Sequence, residues 1–208
     1  MQLSALVDWI HRYKDEVVAR KDELTDLDRQ IGDADHGSNM ARGMQAASDK
    51  IDAAVPATVG ELGKSVGMTL VSTVGGASGP LYGTFFLRFG TAAGGVTELD
   101  AAGLSAALRS GVEGIVARGK AEPGDKTMLD ALLPALDALD DANAAGRPEV
   151  EALEAAATAA EAGSAATLDL VARKGRASYL GERSAGHLDP GSVSSAMLVR
   201  TLADAAKG

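Results

Sequence analysis

The chain has 208 residues, of which 46% are hydrophobic and 24% charged, as is typical of a globular domain. The 29 acidic residues outnumber the 20 Lys and Arg, and the net charge of −9 argues against nonspecific binding to nucleic acid or to a membrane surface. Cysteine is absent and no apolar run approaches the ~20 residues of a membrane helix, so we expect a cytoplasmic protein without disulfides, thiolate metal sites or membrane segments.

The first half of the chain is predicted to be mostly helical. Apolar residues recur at three- and four-residue steps over residues 3–18, which indicates an amphipathic helix rather than a signal peptide. Residues 21–39 lose this period and are rich in Asp and Gly, so they are predicted to be a loop. Helices are predicted over 40–54 and 57–73, and a glycine-rich passage at 74–83 leads into TFFLRF, which could be a strand but whose neighbours favour a helix.

The second half continues this pattern. Asp100 is a predicted N-cap of a helix that ends near residue 118, and a turn at 119–125 precedes a helix over 126–139 that contains Pro134. A long alanine-rich helix is predicted over 149–173, followed by a loop over 174–191. Asp189 and Pro190 are the predicted N-cap and first residue of the last helix. These eight helical segments predict an all-α fold with a single domain over residues 1–208.

Three carboxylates within eight residues, in DRQIGDADHGSN, are the strongest chemical signal. Asp28, Asp33 and Asp35 would repel one another by about 4 kcal/mol per pair at ~4 Å and an effective dielectric near 20, unless a cation lies among them. Glycines on both sides allow the chain to bend so that the three converge, and Mg²⁺ prefers such oxygen ligands. The alternative is a solvated acidic loop. The loop lacks the later ligands of an EF-hand.

Other motifs are weaker on their own. GIVARGKA, at 114–121, and VGELGKS, at 59–65, each miss an essential residue of a phosphate-binding P-loop. VGGASGPLYG could bring backbone amides and the Ser78 hydroxyl to a phosphate, or could serve a tight helix crossing. His36 could donate a hydrogen bond to a phosphate and Arg176 could clamp an anion, although each could also be an ordinary surface residue.

Four stretches in this order resemble one family: LTDLDRQIGDADHGSNMARG, VGGASGPLYGTFF, RGKAEPGDKTMLDALLPA and GRASYLGERSAGHLDPGSVSS. They are similar to the nucleotide-binding subunits (DhaL) of bacterial phosphotransferase-dependent dihydroxyacetone kinases. They are equally similar to the C-terminal nucleotide domain of single-chain, ATP-dependent dihydroxyacetone kinases. The resemblance spans about residues 20–195. It implies a barrel of eight antiparallel helices, with the nucleotide bound by loops at one end.

The resemblance also implies the site. Asp28, Asp33 and Asp35 would hold two Mg²⁺ ions that bridge the phosphates of ADP. His36 and Arg176 would be the catalytic residues. The remaining nucleotide contacts that it implies are Gly37, Ser38, Asn39, Ala77, Ser78, Gly119, Thr127, Met128, Asp189, Pro190 and Gly191.

The length of the chain favours the separate subunit over the single-chain kinase. The resemblance then implies that ADP stays bound and becomes ATP transiently. A phosphohistidine protein of the phosphotransferase system would be the donor, and dihydroxyacetone on another subunit the acceptor. The alternatives are a subunit that exchanges free ATP, and a nucleotide-state sensor that docks on a transcription regulator.

Overall fold

The computed structural model describes residues 1–208, and all of its regular elements are helices, which confirms the predicted all-α class. It contains nine α-helices and two 3₁₀ segments, Thr167–Asp169 and Arg176–Ser184. No helix combines the length and the apolar character needed to cross a membrane. The α-helices are α1 (Leu3–Ala19), α2 (Lys21–Ile31), α3 (His36–Ala53), α4 (Val59–Thr73), α5 (Ser78–Ala93), α6 (Ala101–Gly119), α7 (Leu129–Ala144), α8 (Glu149–Ala166) and α9 (Pro190–Ala205).

The prediction of a loop over residues 21–39 is wrong. Helix α2 covers most of this range, and α3 begins at His36, so that only a four-residue corner separates the two helices. The buried residues of α2 are Leu24, Asp28 and Ile31, at helical spacing. The apolar period was hidden because a carboxylate occupies the middle position of the buried stripe. The additional helix α2 also raises the predicted count of eight helical segments to nine α-helices.

Several helix ends also differ from the prediction. The alanine-rich helix ends at Ala166 instead of residue 173, and the predicted loop over 174–191 contains the 3₁₀ segment Arg176–Ser184. Helix α7 begins at Leu129 and extends to Ala144, with Pro134 inside it.

Other local predictions are confirmed. TFFLRF lies within α5. The side chains of Asp100 and Asp189 cap α6 and α9, where they accept the backbone N–H groups of Gly103 at 2.7 Å and Ser192 at 2.6 Å.

Helices α4 and α5 approach closely along a seam of glycines. A Cβ atom added to Gly63 would lie 2.6 Å from Gly90 Cα, and one added to Gly67 would lie 2.8 Å from the Gly83 carbonyl oxygen. Gly60, near the start of α4, faces Gly94 at the end of α5, whereas Gly67, farther along α4, faces Gly83, nearer the start of α5, so the two helices are antiparallel. Side chains would force these backbones apart, so the glycines set the spacing of the pair.

One apolar core of 47 buried residues draws on all nine helices. Helices α3 to α9 each pack against the next along the chain, and α1 packs against both α3 and α9. Helix α2 lies beside α3 and α9 and contacts the 3₁₀ segment Arg176–Ser184. Trp9 illustrates the closure of the core, since its ring packs against Phe86 and its indole N–H donates to the Leu198 carbonyl at 2.8 Å. The interhelical turns at one end of this arrangement enclose a cleft.

Candidate functional site

An open cleft of about 850 Å³ lies where several helix ends meet. Its lining comes from the α2–α3 corner, the α4–α5 turn, the α6–α7 connection, the chain around residue 176 and the start of α9. Twelve of the residues singled out from the sequence line it together: Asp28, Asp33, Asp35, His36, Ala77, Ser78, Thr127, Met128, Arg176, Asp189, Pro190 and Gly191.

The three carboxylates converge as their chemistry requires. One oxygen from each of Asp28, Asp33 and Asp35 lies within 4.8 Å of the other two. Asp28 is only 8% exposed, and its Oδ2 accepts the backbone N–H groups of Asp35 at 2.8 Å and His36 at 3.1 Å. Ala34 has a φ of 63°, a left-handed conformation that costs a non-glycine residue roughly 1 kcal/mol or more and is typical of functional sites.

This cluster fits a magnesium site by its donor set. All three groups are hard oxygen ligands. The buried Asp28 carboxylate is held by two backbone N–H groups, while Asp33 is exposed and Asp35 is half-buried at the cleft. Gly32 completes the cradle, since a Cβ atom at this position would overlap the Asp28 carboxylate. The arrangement therefore leaves room for a cation beside the carboxylates.

Arg176 lies next to the same cluster. Its Nη2 donates to Asp33 Oδ2 at 2.9 Å, and 68% of its side chain is exposed. A guanidinium group presents several N–H donors in a planar fork and suits phosphate recognition. Arg176 is thus placed where it could contact an anion held by the cations of the cluster.

His36 is buried in a network of hydroxyl groups. Its Nδ1 lies 3.0 Å from Ser78 Oγ and its Nε2 lies 2.9 Å from Ser194 Oγ, which is in turn 2.7 Å from the Tyr82 hydroxyl. Burial lowers the pKa of His36 to about 4, so the imidazole is neutral at pH 7. Because both ring nitrogens already have hydroxyl partners, the ring orients Ser78 rather than offering a free nitrogen to the cleft.

Four helices begin at the cleft. His36 starts α3, Ser78 starts α5, Met128 precedes α7 and Pro190 starts α9, and all four residues line the cavity. Each helix N-terminus carries a partial positive charge and N–H groups without intrahelical partners, and so favours bound anions. The cleft of this acidic protein therefore combines carboxylates with an anion-attracting backbone.

Asp189 has the most perturbed carboxyl group in the cleft. Burial, supported by the nearby charge of Asp130, raises its pKa to about 7 despite the hydrogen bond from the Ser192 N–H. A carboxyl group with such a pKa is partly protonated at neutral pH, which reduces the repulsion between this end of α9 and an anionic ligand.

Four residues singled out from the sequence do not line the cleft. Gly37 packs against the backbone of α2, and Asn39 is buried beside Gly75, where its Oδ1 accepts from Arg42 at 2.6 Å. Ser38 is exposed, and Gly119 is exposed next to Leu81, which itself lines the cleft. Their nucleotide contacts remain predictions.

Sequence reasoning missed Lys126, which lines the cleft although it is only 1% exposed. It also missed the Tyr82–Ser194 hydroxyl pair behind His36. Lys126 lies in a charged turn in which lysines are usually solvated, and its partners are distant in sequence, so no local signal identifies it. Ser194 belongs to the serine-rich stretch SVSS near the start of α9, and its place among three serines beside a predicted helix N-terminus is the one sequence feature that could have indicated a role.

Comparison with known proteins agrees with this geometry. A family model described as the DAK2 domain matches residues 30–204. The chain is 46% identical over 202 residues to the "PEP-dependent dihydroxyacetone kinase, ADP-binding subunit DhaL" of Escherichia coli, covering 97% of this chain and 96% of the relative. It is 45% identical over 194 residues to a subunit of the same description from Listeria innocua, covering 93% and 92%.

A solved structure shares the fold. The crystal structure of the dihydroxyacetone kinase from C. freundii in complex with AMP-PNP and Mg²⁺ matches with a TM-score of 0.74 and 28% identity. The match covers 95% of this chain and 33% of the kinase, so the similarity concerns one third of that larger protein.

Proposed function

We propose, because the chain belongs to the DAK2 domain family, that it is the ADP-binding subunit of a phosphoenolpyruvate-dependent dihydroxyacetone kinase. The observation that carries this proposal is the convergence of three carboxylates, Arg176 and four helix N-termini on one cleft. The match to ADP-binding subunits over nearly the whole chain supports it. When bound, ADP would relay a phosphoryl group from a phosphohistidine protein to dihydroxyacetone on a separate subunit, with Mg²⁺ neutralising the phosphate charge.

The residues of the cleft would have different roles in binding ADP and in phosphoryl transfer. Asp28, Asp33 and Asp35 would hold two Mg²⁺ ions, without which the diphosphate would face an uncompensated acidic surface. Arg176 would neutralise charge on the phosphoryl group during transfer. His36 would keep the Ser78 hydroxyl directed at the phosphates from the start of α5.

No nucleophile or strong base is demanded of this chain. Phosphoryl transfer depends mainly on positioning and on neutralising charge, which carboxylate-bound cations, helix N-termini and a guanidinium group supply. The remaining predicted contacts, from Ala77, Thr127, Met128 and the turn at Asp189, line the cleft and would surround the nucleotide.

The proposal extends to the architecture. We propose that α1 and α3 to α9 form the barrel of eight helices, because each packs against its neighbours around the ring and α9 returns to α1. Helix α2 would then lie outside the ring and carry Asp28 to its end. We also propose that residues 1–208 form one domain, since a single core contains residues of every helix.

The first test is the nucleotide content of the purified protein. Denaturation followed by chromatography should release one ADP per chain, and chelation of Mg²⁺ should allow its removal under native conditions. Wild-type protein that is empty and shows no Mg²⁺-dependent ADP binding would refute the proposal.

The second test distinguishes this function from its alternatives. Mixed with a dihydroxyacetone-binding subunit and a phosphohistidine donor, the protein should support phosphorylation of dihydroxyacetone while its bound nucleotide fails to exchange with labelled ATP. Rapid exchange during turnover would identify a subunit that uses free ATP as its substrate. Absence of any phosphoryl flux, with nucleotide-dependent binding to a transcription regulator, would identify a sensor instead.

A further inference from the structure

Lys126 combines two unfavourable features at the cleft. Its side chain is buried, with the whole residue 1% exposed, and its φ of 62° places a residue other than glycine in the left-handed region. Burial of an ammonium group is costly unless its donors are satisfied, and left-handed backbone adds strain. The fold therefore holds this lysine in place against two separate costs.

The ammonium group joins two segments that are distant in sequence. Lys126 Nζ donates to the carbonyl oxygens of Ser184 at 2.6 Å and Leu170 at 3.0 Å. The adjacent backbone adds a third link, because Asp125 accepts the N–H of Arg173 at 3.0 Å. The α6–α7 connection is thereby attached to both ends of the chain that carries Arg176.

Ser184 connects Lys126 to the segment that carries Arg176. The residue is fully buried, and its Oγ donates to the Gly181 carbonyl at 2.7 Å and accepts the Ala172 N–H at 2.8 Å. Gly175 and Gly181, on either side of Arg176, both have positive φ, so the segment has two points of easy backbone rotation.

The rest of the segment has few other restraints. Only Ala177 and Ser184 of the nine residues Arg176–Ser184 are buried, and the apolar support is a small cluster of Ile31, Ala172 and Ala177 with Leu180 packed against it. An ammonium group bound to two carbonyls is a strong restraint by comparison, because hydrogen bonds to charged groups are about twice as strong as neutral ones.

We propose that Lys126 is a positioning residue, whose ammonium group fixes the segment Arg176–Ser184 through the Ser184 carbonyl and so holds Arg176 beside the carboxylate cluster. Its importance for phosphoryl transfer rests on the proposed function, whereas its restraint of the segment by hydrogen bonds does not. Lys126 touches neither the carboxylates nor, on this view, the phosphates. It acts through Arg176.

Limited trypsin digestion of the full chain directly tests whether Lys126 restrains the segment Arg176–Ser184. Arg176 and Arg183 are cleavage sites inside the segment, and Lys174 is a cleavage site just before it. Lys126→Met removes the ammonium group while keeping an unbranched side chain of similar length. Cleavage after Lys174 or Arg176 should accelerate about tenfold or more in Lys126→Met, and Lys126→Arg should restore most of the protection.

Lys120→Met is the matched control. Lys120 lies in the same connection and also has positive φ, but its side chain is exposed and makes no hydrogen bond. This variant should be cut at the wild-type rate. Equal cleavage rates in Lys126→Met and Lys120→Met would overturn the inference. Circular dichroism identifies a variant that is cut because it is unfolded. If Lys126→Met is unfolded, Lys126→Gln replaces it in the same comparison, since glutamine is neutral but keeps an N–H donor.

A double-mutant comparison tests whether Lys126 acts through Arg176. The release rate of labelled ADP from the Mg²⁺-loaded protein is measured for Lys126→Met, Arg176→Ala and the double variant. If Lys126 only positions Arg176, the double variant should release ADP within about twofold of Arg176→Ala alone. Fold-changes that multiply would overturn the positioning role. An unchanged rate in Arg176→Ala would count against the proposed function of Arg176, while the trypsin result would still decide the inference on Lys126.

Discussion

Replacing Asp33 by Asn should abolish the binding of Mg²⁺ and ADP without weakening the nucleotide-free fold. Asp33 contributes to the fold through an ion pair with Arg176, and the two side chains are 37% and 68% exposed. Such exposed pairs contribute about 0–1 kcal/mol. Against this, unit charges 4.8 Å apart repel by about 0.9 kcal/mol in water, and Asp33 has two such neighbours in the cluster. Without cations the variant should therefore be as stable as the wild type, or slightly more stable.

The loaded protein should behave in the opposite way. A ligand at 100 times its dissociation constant stabilises the folded state by about 2.7 kcal/mol. For a chain of this length about 1 kcal/mol corresponds to roughly 2–4 °C in Tm, so Mg²⁺ with ADP should raise the wild-type Tm by about 5–10 °C. Asp33→Asn removes one of the three negative charges of the cluster, and its shift should fall below about 2 °C.

Thermal unfolding after removal of nucleotide with a chelator, with and without added Mg²⁺ and ADP, measures both effects. Asp26→Asn is the matched control, because Asp26 lies on α2, shortly before the corner that carries Asp33, pairs with Arg29 and is 62% exposed, outside the cluster. It should keep the full ligand-induced shift. The reasoning is refuted if Asp33→Asn keeps that shift too, or if it loses several degrees in the absence of nucleotide.

Three further changes should separate folding from binding. Asp28→Ala removes the acceptor of two backbone N–H groups, so it should lower the free energy of unfolding in urea by about 2–4 kcal/mol. It should also abolish Mg²⁺ binding. Gly63→Ala places a Cβ atom 2.6 Å from Gly90 Cα and should cost about 1–3 kcal/mol by the same assay. Asp189→Asn keeps an oxygen to cap α9 but cannot ionise. Because the folded state raises the Asp189 pKa from 3.8 to about 7, the wild type should lose stability as pH rises through this interval, and the variant should gain relative to it.

Each of these expectations has a contrary result. Unchanged urea stability in Asp28→Ala would mean that the α2–α3 corner does not depend on its carboxylate. Gly95→Ala, where a Cβ atom meets nothing within 4 Å, should be neutral, and an equal loss in both glycine variants would reject the packing argument. A stability difference between Asp189→Asn and the wild type that stays constant from pH 4 to pH 7 would contradict the raised pKa.

Features that depend on neighbouring residues were predictable from the sequence. The N-caps at Asp100 and Asp189 follow from the chemistry of a polar side chain before an apolar period, and both are present. The three aspartates could be expected to converge because glycine bends the chain between them, and one oxygen of each lies within 4.8 Å of the others.

Lys126 shows why other parts of the site could not be predicted. Its two acceptors lie 44 and 58 residues away, so its burial is decided by the packing of distant segments rather than by its own turn. The ends of α8 and α7 were mistaken for a related reason. Alanine has a high helix propensity and gives little signal of where a helix stops, whereas the 3₁₀ turn after Ala166 is set by contacts with α9, including the Ser192 hydroxyl near Thr167.

Asp28 explains both the missed helix and the unequal roles of the three carboxylates. It occupies the core-facing stripe of α2 between Leu24 and Ile31, a position at which an unpaired charge would be unstable. Its carboxylate is tolerated there because it accepts two backbone N–H groups at the start of α3, and these bonds also turn the chain from one helix into the next. The carboxylates of Asp33 and Asp35 do not accept backbone N–H groups at this corner. A metal site built on this corner can therefore lose its exposed ligands and remain folded, but it cannot lose Asp28 without losing the corner as well.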